Sequence, residues 1–428
     1  MAGFNHTLYQ LLVWAAQPLL RRKLARRAVA EPGYAVAVPE RFGHYTQAAE
    51  VRSELVWVHA VSLGEARAAG ILLKALREAL PGVRILLTHG TATGRAEGAR
   101  LLQPGDVQVW QPWDTAGAVQ AFLRHFRPRI GLLMETEVWP NLVRQSAAAG
   151  VPLALVNARM SGKSLQSALR WASLMRPTYA ALHAVWAQTE ADAQRLRALG
   201  ATVQTVTGNL KFDAEPDASQ VSQGQAWRAA LQQPVCLLAS SREGEEAQWL
   251  QAFEQKTVQA NGVHWLIVPR HPQRVDEVEA LLQGAGLSVS RRSSWGQAGP
   301  VAHTGAQVWL GDSLGEMALY YSLADVALLG GSFEPLGGQN LIEAAACACP
   351  VIMGPHTFNF LEAAQQAAAA GAARRVPDMA AAVSAAQDLA LQVSRRQAMT
   401  ADALAFLQAH KGAARRVAAL VKSLLEQG

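Results

Sequence analysis

Leu55-Val56-Trp57-Val58-His59-Ala60-Val61-Ser62-Leu63-Gly64-Glu65 decides the architecture: an apolar run stops at a polar turn, and a helical pattern follows at once. A short apolar run that gives way directly to a helix reads as a strand covered on both faces of a parallel sheet. The unit recurs downstream, with strands expected over 55–60, 84–88, 107–111, 130–135, 153–157 and 184–188, separated by Ala-, Leu- and Arg-rich helical stretches. A polar, strand-free segment at 214–226, rich in Gln, Ser, Asp and Pro, then interrupts the pattern. Strands resume at 235–239, 265–269, 308–311, 326–330 and 351–354, and the chain ends in Ala-rich helices with a basic surface. The expectation is an α/β protein of two doubly wound Rossmann-like domains, 31–213 and 227–428, joined by the linker 214–226. Ligands of such sheets bind at the C-terminal ends of the strands, in a cleft that two domains would share.

Those strand ends hold the chemistry. Ser62 and Glu65 have the spacing of a capping box, in which the serine caps the helix and the glutamate returns the bond. The same carboxylate, at a junction facing the cleft, is also placed to accept a proton from a sugar or lipid hydroxyl. The helix N-terminus would lower its pKa and burial would raise it, so its strength as a base depends on which effect wins. Glu135 and Glu137 end another apolar strand two residues apart, so both project from one face in extended backbone. Lys211, in Gly208-Asn209-Leu210-Lys211-Phe212-Asp213, is placed to balance those acids or an anionic ligand, or is a plain surface lysine. In the second half, Arg270-His271-Pro272 ends one strand, and Gly311-Asp312-Ser313 ends another and leads into Leu314-Gly315-Glu316. A glycine-rich turn, 330–338, opens the helix that carries Asn340, Leu341, Ile342 and Glu343. Backbone N–H groups at such a turn suit a phosphate, Arg270 suits bidentate pairing with it, and Glu343 suits a ribose diol. Tight-turn geometry alone is the competing account of the glycines. Neither a P-loop nor a G-x-G-x-x-G fingerprint is present, so simple NTPase and dehydrogenase readings lose ground.

Composition bounds the class. The 428 residues include 39 Lys or Arg and 33 Asp or Glu, a formal charge of +6. Charged residues make up 17% and apolar residues 50%, which excludes a disordered chain. Three cysteines (Cys236, Cys347 and Cys349) without metal-ligand spacing exclude a disulfide scaffold. No apolar run of about 20 residues recurs, so a polytopic membrane protein is excluded. The N-terminal segment 4–20 is mostly apolar and precedes Arg21, Arg22, Lys23, Arg26 and Arg27, the reverse of a signal peptide's charge order. Residues 1–30 therefore read as a membrane-associated helix with a basic flank, either a short anchor or a helix lying on anionic headgroups. An ordinary helix packed on the body is the bland alternative. The basic cluster points to anionic lipid rather than nucleic acid as the partner surface.

Six motifs in order carry a resemblance: W-V-H-A-V-S-L-G-E (57–65), M-E-T-E-V-W-P-N-L (134–142), G-N-L-K-F-D (208–213), V-P-R-H-P (268–272), G-D-S-L-G-E (311–316) and G-G-S-F-E-P-L-G-G-Q-N-L-I-E (330–343). Together they resemble the bacterial 3-deoxy-D-manno-octulosonic acid (Kdo) transferases, from the N-terminal helix to about residue 376. The resemblance implies an inverting, metal-independent GT-B glycosyltransferase without a cofactor, on the cytoplasmic face of the inner membrane. It would move Kdo from CMP-Kdo to the lipid A precursor in lipopolysaccharide synthesis. By position, Glu65 matches the general base, and Glu135 and Lys211 match groups that stabilise the transition state. Arg270, His271, Leu314, Gly315, Glu316, Asn340, Leu341, Ile342 and Glu343 match the CMP site. The sequence departs from the pattern at Gln339 and Arg242, where histidine is usual, and at Ala344, where proline is usual. The nearest rival is another GT-B transferase that uses a UDP-sugar and a lipid-linked acceptor. A catalytically silent nucleotide-binding protein docked at the membrane is the rival from a different class.

Overall fold

A computed structural model describes residues 2–51, 54–255 and 262–427, with residues 2–5 and 255 as backbone only. Met1 and the side chains of Phe4 and Asn5, at the start of the expected membrane helix, lie outside the described residues. Among the described residues fourteen strands run in chain order: β1 (Leu55–His59), β2 (Arg84–His89), β3 (Val107–Trp110), β4 (Ile130–Met134), β5 (Leu153–Ala158), β6 (Ala184–Ala187), β7 (Val203–Val206), β8 (Val235–Ser241), β9 (His264–Pro269), β10 (Val289–Arg291), β11 (Val308–Leu310), β12 (Val326–Leu329), β13 (Val351–Met353) and β14 (Ala373–Arg375). They form two seven-stranded sheets of parallel pairings, in the orders β3-β2-β1-β4-β5-β6-β7 and β10-β11-β9-β8-β12-β13-β14.

The chain divides into two compact units, Met1–Asp213 with Lys411–Gly428, and Ala214–His410. In the first, alternation along β1 fills two separate cores. Leu55 and Trp57 pack with Phe122, Phe126 and Leu142 on one face, and Val56 and Val58 pack with Leu72, Leu73 and Leu76 on the other. A parallel sheet buried on both faces is what the unbroken apolar strands require. In the second unit β8, β9 and β12 lie at the centre, with Trp249, Trp265 and Val383 in one core cluster.

Two boundaries differ from expectation. The expected linker 214–226 is mostly helix, Ala218–Ala229, capped by Asp217 and part of the second unit. Its Gln- and Ser-rich face hid the pattern, but Trp227 is buried and its Nε1 donates to the carbonyl of Gln297 at 3.1 Å. The expected second domain, 227–428, also loses its last helix. Ala413–Gln427 packs Val417, Val421 and Leu425 into the Val56 core of the first unit. Asp213 fixes the return: its carboxylate accepts from the N–H groups of Gly412 (2.5 Å) and Ala414 (2.6 Å).

At the N-terminus, α1 (Ala2–Ala15) and α2 (Gln17–Ala30) belong to the first unit. Tyr9 donates to Asp114 Oδ2 at 2.6 Å, and Trp113 Nε1 donates to the carbonyl of Val13 at 3.1 Å, so the Tyr9–Val13 face of α1 is docked. Leu8, Leu11 and Leu12, at helical spacing, are exposed instead, as are Trp14 and Leu19. No helix among the described residues is long and apolar enough to cross a membrane.

Candidate active site

The strand order of the first sheet reverses between β1 and β4, the position at which doubly wound sheets bind ligands. Two of the expected residues flank that point, and the third is bound to one of them. Ser62 caps α3 (Leu63–Ala79), with its Oγ accepting from the Glu65 N–H at 3.3 Å. Glu65 folds back, taking hydrogen bonds from Ser62 Oγ at 2.9 Å and from the N–H of Val61 at 3.0 Å. The capping box and the candidate base are therefore built on the same carboxylate. Burial wins over the cap, and the Glu65 carboxyl is pushed up to about 7, with the charges of Glu135 and Glu137 adding to the rise. A base of that pKa is matched to neutral pH.

Glu135 follows β4 with φ +55, a left-handed backbone that a non-glycine residue holds only under strain. Its side chain is nearly sealed from solvent and clamped by two cations, Lys211 Nζ at 3.4 Å from Oε1 and Arg159 Nε at 3.0 Å from Oε2. A Lys211–Glu135 ion pair is one of the arrangements the sequence left open. Arg159, just past β5, was not singled out from the sequence; a cation two residues beyond Asn157 at a strand end was the available signal.

Glu137 takes a hydrogen bond from Trp139 Nε1 at 2.9 Å, and burial raises its pKa. His59 Nε2 stands 4.0 Å from its Oε2. Burial lowers the His59 pKa to about 3, so the ring is neutral, and its Nδ1 is held by Thr88 Oγ1 at 2.9 Å. Glu137 was singled out beside Glu135 as a strand-end acid, whereas His59 was given no role in advance. His59 reads as one polar residue within an apolar strand, and only the fold shows where its ring points.

In the second unit the order reverses between β8 and β12. The glycine-rich turn after β12 closes on itself, the N–H of Gly338 bonding the carbonyl of Gly331 at 2.7 Å and that of Gln339 bonding Gly330 at 3.0 Å. Part of the anion-binding capacity expected of this turn is already used internally. Fully buried Glu245 accepts from the N–H groups of Gly331 (2.7 Å), Phe333 (3.0 Å) and Arg242 (2.9 Å). Asn340 caps the six-residue helix Leu341–Ala346, its Oδ1 accepting from Ile342 N–H at 3.2 Å. Leu341 and Ile342 are core residues, so a ligand reaches them through backbone only, while Glu343 is half-buried. Arg270 is half-buried past β9, where its N–H bonds the carbonyl of Ser241 at 2.9 Å. His271 and Leu314 are exposed, Gly315 has φ +85, and Glu316 is held by Arg292 at 3.1 Å.

Residues 37–214 match the family model described as 3-deoxy-D-manno-octulosonic-acid transferase (kdotransferase). A 3-deoxy-D-manno-octulosonic acid transferase of Bordetella pertussis is 48% identical over 421 residues, covering 96% of this chain and 97% of that protein. The chain belongs to the Kdo transferase family. A Kdo transferase of Haemophilus influenzae is 30% identical over 358 residues, covering 83% of each. Among solved structures, a UDP-GlcNAc 2-epimerase from Neisseria meningitidis bound to UDP-GlcNAc aligns with 87% of this chain and 100% of its own, at a TM-score of 0.56 and 14% identity. That likeness concerns the fold alone, an α/β protein of the GT-B class. This Kdo transferase is thus a glycosyltransferase that moves Kdo, and its departures from the family pattern at Arg242, Gln339 and Ala344 all belong to the second unit. Arg242 bonds Glu243 at 2.9 Å, and Gln339 closes the glycine turn through its backbone.

Proposed function

We propose that this Kdo transferase takes Kdo from CMP-Kdo and attaches it, with inversion, to a hydroxyl of the lipid A precursor on the cytoplasmic face of the inner membrane. The observation that carries the mechanism is Glu65, a carboxylate at the sheet's reversal point whose pKa is raised to about 7. Ionised Glu65 accepts the proton of the acceptor hydroxyl as its oxygen attacks the anomeric carbon of Kdo. The bond to the CMP phosphate breaks on the opposite side, and CMP leaves as a stabilised anion. Departure needs cationic help rather than an acid, a role suited to Arg270. Glu135, fixed by Lys211 and Arg159, stabilises positive charge developing on the sugar ring. His271, the Leu314-Gly315-Glu316 turn and the Asn340-to-Glu343 turn bind the nucleotide.

Membrane docking is supported by α1. Its polar and aromatic side is bonded to the body, while Leu8, Leu11, Leu12 and Trp14 face out, with Arg22 and Arg26 exposed on α2. An apolar face beside exposed cations suits an interface of anionic lipid. The UDP-sugar alternative is disfavoured by full-length kinship with a Kdo transferase.

The test is incubation of the purified chain with CMP-Kdo and lipid A precursor, then mass spectrometry of the lipid. A mass gain of one or more Kdo units is expected with wild type and none with Glu65→Gln, which still binds CMP by calorimetry. Product from UDP-sugars alone, or turnover by Glu65→Gln near the wild-type rate, would refute the assignment. Arg270→Ala should weaken CMP binding, and an unchanged dissociation constant removes Arg270 from the phosphate.

A further inference from the structure

Three elements of the second unit converge on the turn Leu314-Gly315-Glu316 after β11. From the helix Ala218–Ala229, Gln220 Nε2 donates to the Gly315 carbonyl at 3.0 Å. From the helix Met317–Leu323, the Tyr320 hydroxyl bonds Ser313 Oγ, which in turn donates to Glu316 Oε2. From the short 3-10 turn that follows β10, Arg292 Nη2 donates to Glu316 Oε1 at 3.1 Å. Both carboxylate oxygens are thus held, and the turn's carbonyl with them. The crest of the turn is left open: Leu314 is 79% exposed, and a Cβ on Gly315 would meet nothing within 4 Å. A fixed frame around an open crest is the form of a site prepared for a ligand.

Arg292 is the part of that frame with the most unusual setting. Its Cζ lies 5.0 Å from the ring centroid of Trp227 and 6.0 Å from that of Trp295, and both indoles are buried. The two rings meet edge to face, with 75° between their planes. Each is anchored in its own right, Trp227 Nε1 to the Gln297 carbonyl and Trp295 Nε1 to Ser290 Oγ, both at 3.1 Å. A cation beside indole faces is attracted by the ring quadrupole, and a planar guanidinium gives up little freedom when it then binds a carboxylate. Arg292 Nε is buried without a hydrogen-bond partner among the described residues. The side chain is therefore placed by the indoles and by Glu316 rather than by a full set of its own bonds, an arrangement that calls for a reason.

We infer that Arg292 is a positioning residue for the nucleotide: set against two indoles, it fixes the Glu316 carboxylate and so holds the Leu314-Gly315-Glu316 turn in the shape that receives CMP. The inference rests on the CMP-Kdo reading above and adds to it a residue outside the turn that sets the turn's geometry. A ligand that meets an ordered turn avoids the cost of ordering it, so loss of Arg292 weakens donor binding and leaves the chemical step alone.

Calorimetric titration with CMP tests the role. Arg292→Met keeps an unbranched apolar stem without the charge, and its CMP dissociation constant should rise about tenfold, or about 1.4 kcal/mol. Arg292→Lys keeps a cation beside the indoles but not the planar fork, and should lose about threefold. Glu316→Gln should also lose about tenfold. Because the arginine acts through the carboxylate, Arg292→Met/Glu316→Gln should bind CMP no worse than the weaker of its two single variants. Losses that multiply to about a hundredfold would give Arg292 a role independent of Glu316 and overturn the proposal. Wild-type affinity in Glu316→Gln or in either single Arg292 variant overturns it too. If Arg292→Met does not fold, Arg292→Lys takes its place in the cycle under the same criteria. In turnover, Arg292→Met should raise the KM for CMP-Kdo about tenfold, with kcat and the KM for lipid A precursor unmoved. A fall in kcat at unchanged donor KM counts against the inference. Should wild type transfer no Kdo, the functional reading fails, and CMP titration still judges Arg292 separately.

Discussion

Glu65 carries two duties that pull in opposite directions, as a helix cap and as a base. Folding raises its pKa from an ordinary 4.5 to about 7, so the protonated carboxyl is the form the fold prefers. Its contribution to stability is whole below the unfolded value and is lost as pH climbs through about 7. Activity runs the other way, since only the carboxylate accepts a proton: kcat/KM should rise with pH to a plateau, with an apparent pKa near 7. Glu65→Gln keeps a neutral side chain at every pH. Thermal melts should show it gaining on wild type between pH 5 and pH 8, and a constant difference across that range would contradict the burial argument. Glu135 offers a second experiment. Lys211→Met leaves a nearly sealed carboxylate short of one of its two cations, so it should destabilise wild type more than it destabilises a Glu135→Gln background. Denaturant melts of the double-mutant cycle should give a coupling of about 0.5–3 kcal/mol.

The glycine turn after β12 shows how strand ends are fitted to each other. A Cβ on Gly330 would lie 2.3 Å from the Ser240 carbonyl oxygen and 2.5 Å from that of Ala239, both backbone atoms that cannot yield. Gly330→Ala should therefore cost about 1–3 kcal/mol and disturb the β8–β12 junction, read as a lower urea midpoint with weakened CMP binding. The central strands β1, β4, β5, β8, β9 and β12 were legible because burial on both faces writes an unbroken apolar run. The strands the sequence did not reveal, β7, β10 and β14, are all sheet edges. Val203-Gln204-Thr205-Val206 alternates half-buried and exposed residues, and only the first residue of β14 is buried, so neither writes such a run. At the site, residue types and strand-end positions exposed Glu65, Glu135 and Lys211. The partner Arg159 stayed hidden, because contacts between residues far apart in sequence leave no local pattern.

Over the whole molecule, the two units differ in how the chain completes them. The second is one continuous segment, and the first is closed by the helix Ala413–Gln427 lying against Leu72, Leu73 and Leu76. Asp213→Ala removes the acceptor of the Gly412 and Ala414 N–H groups and should cost about 0.5–2 kcal/mol, the usual worth of a helix cap, in the melting of the first unit. Replacing Leu11, Leu12 and Trp14 with Gln should leave melting unchanged, because these side chains are exposed, and should reduce sedimentation with anionic vesicles. The closing helix also imposes an order on biosynthesis. On the ribosome, residues 1–213 emerge with the Val56 core lacking Val417, Val421 and Leu425, and it stays incomplete while the whole second unit is made. Only after the last helix leaves the exit tunnel does the first core close, so the nascent chain carries an apolar face for nearly half its synthesis. A premature stop just after His410 would release a protein with one finished unit and one permanently open, a substrate for chaperones and proteases rather than a shortened enzyme.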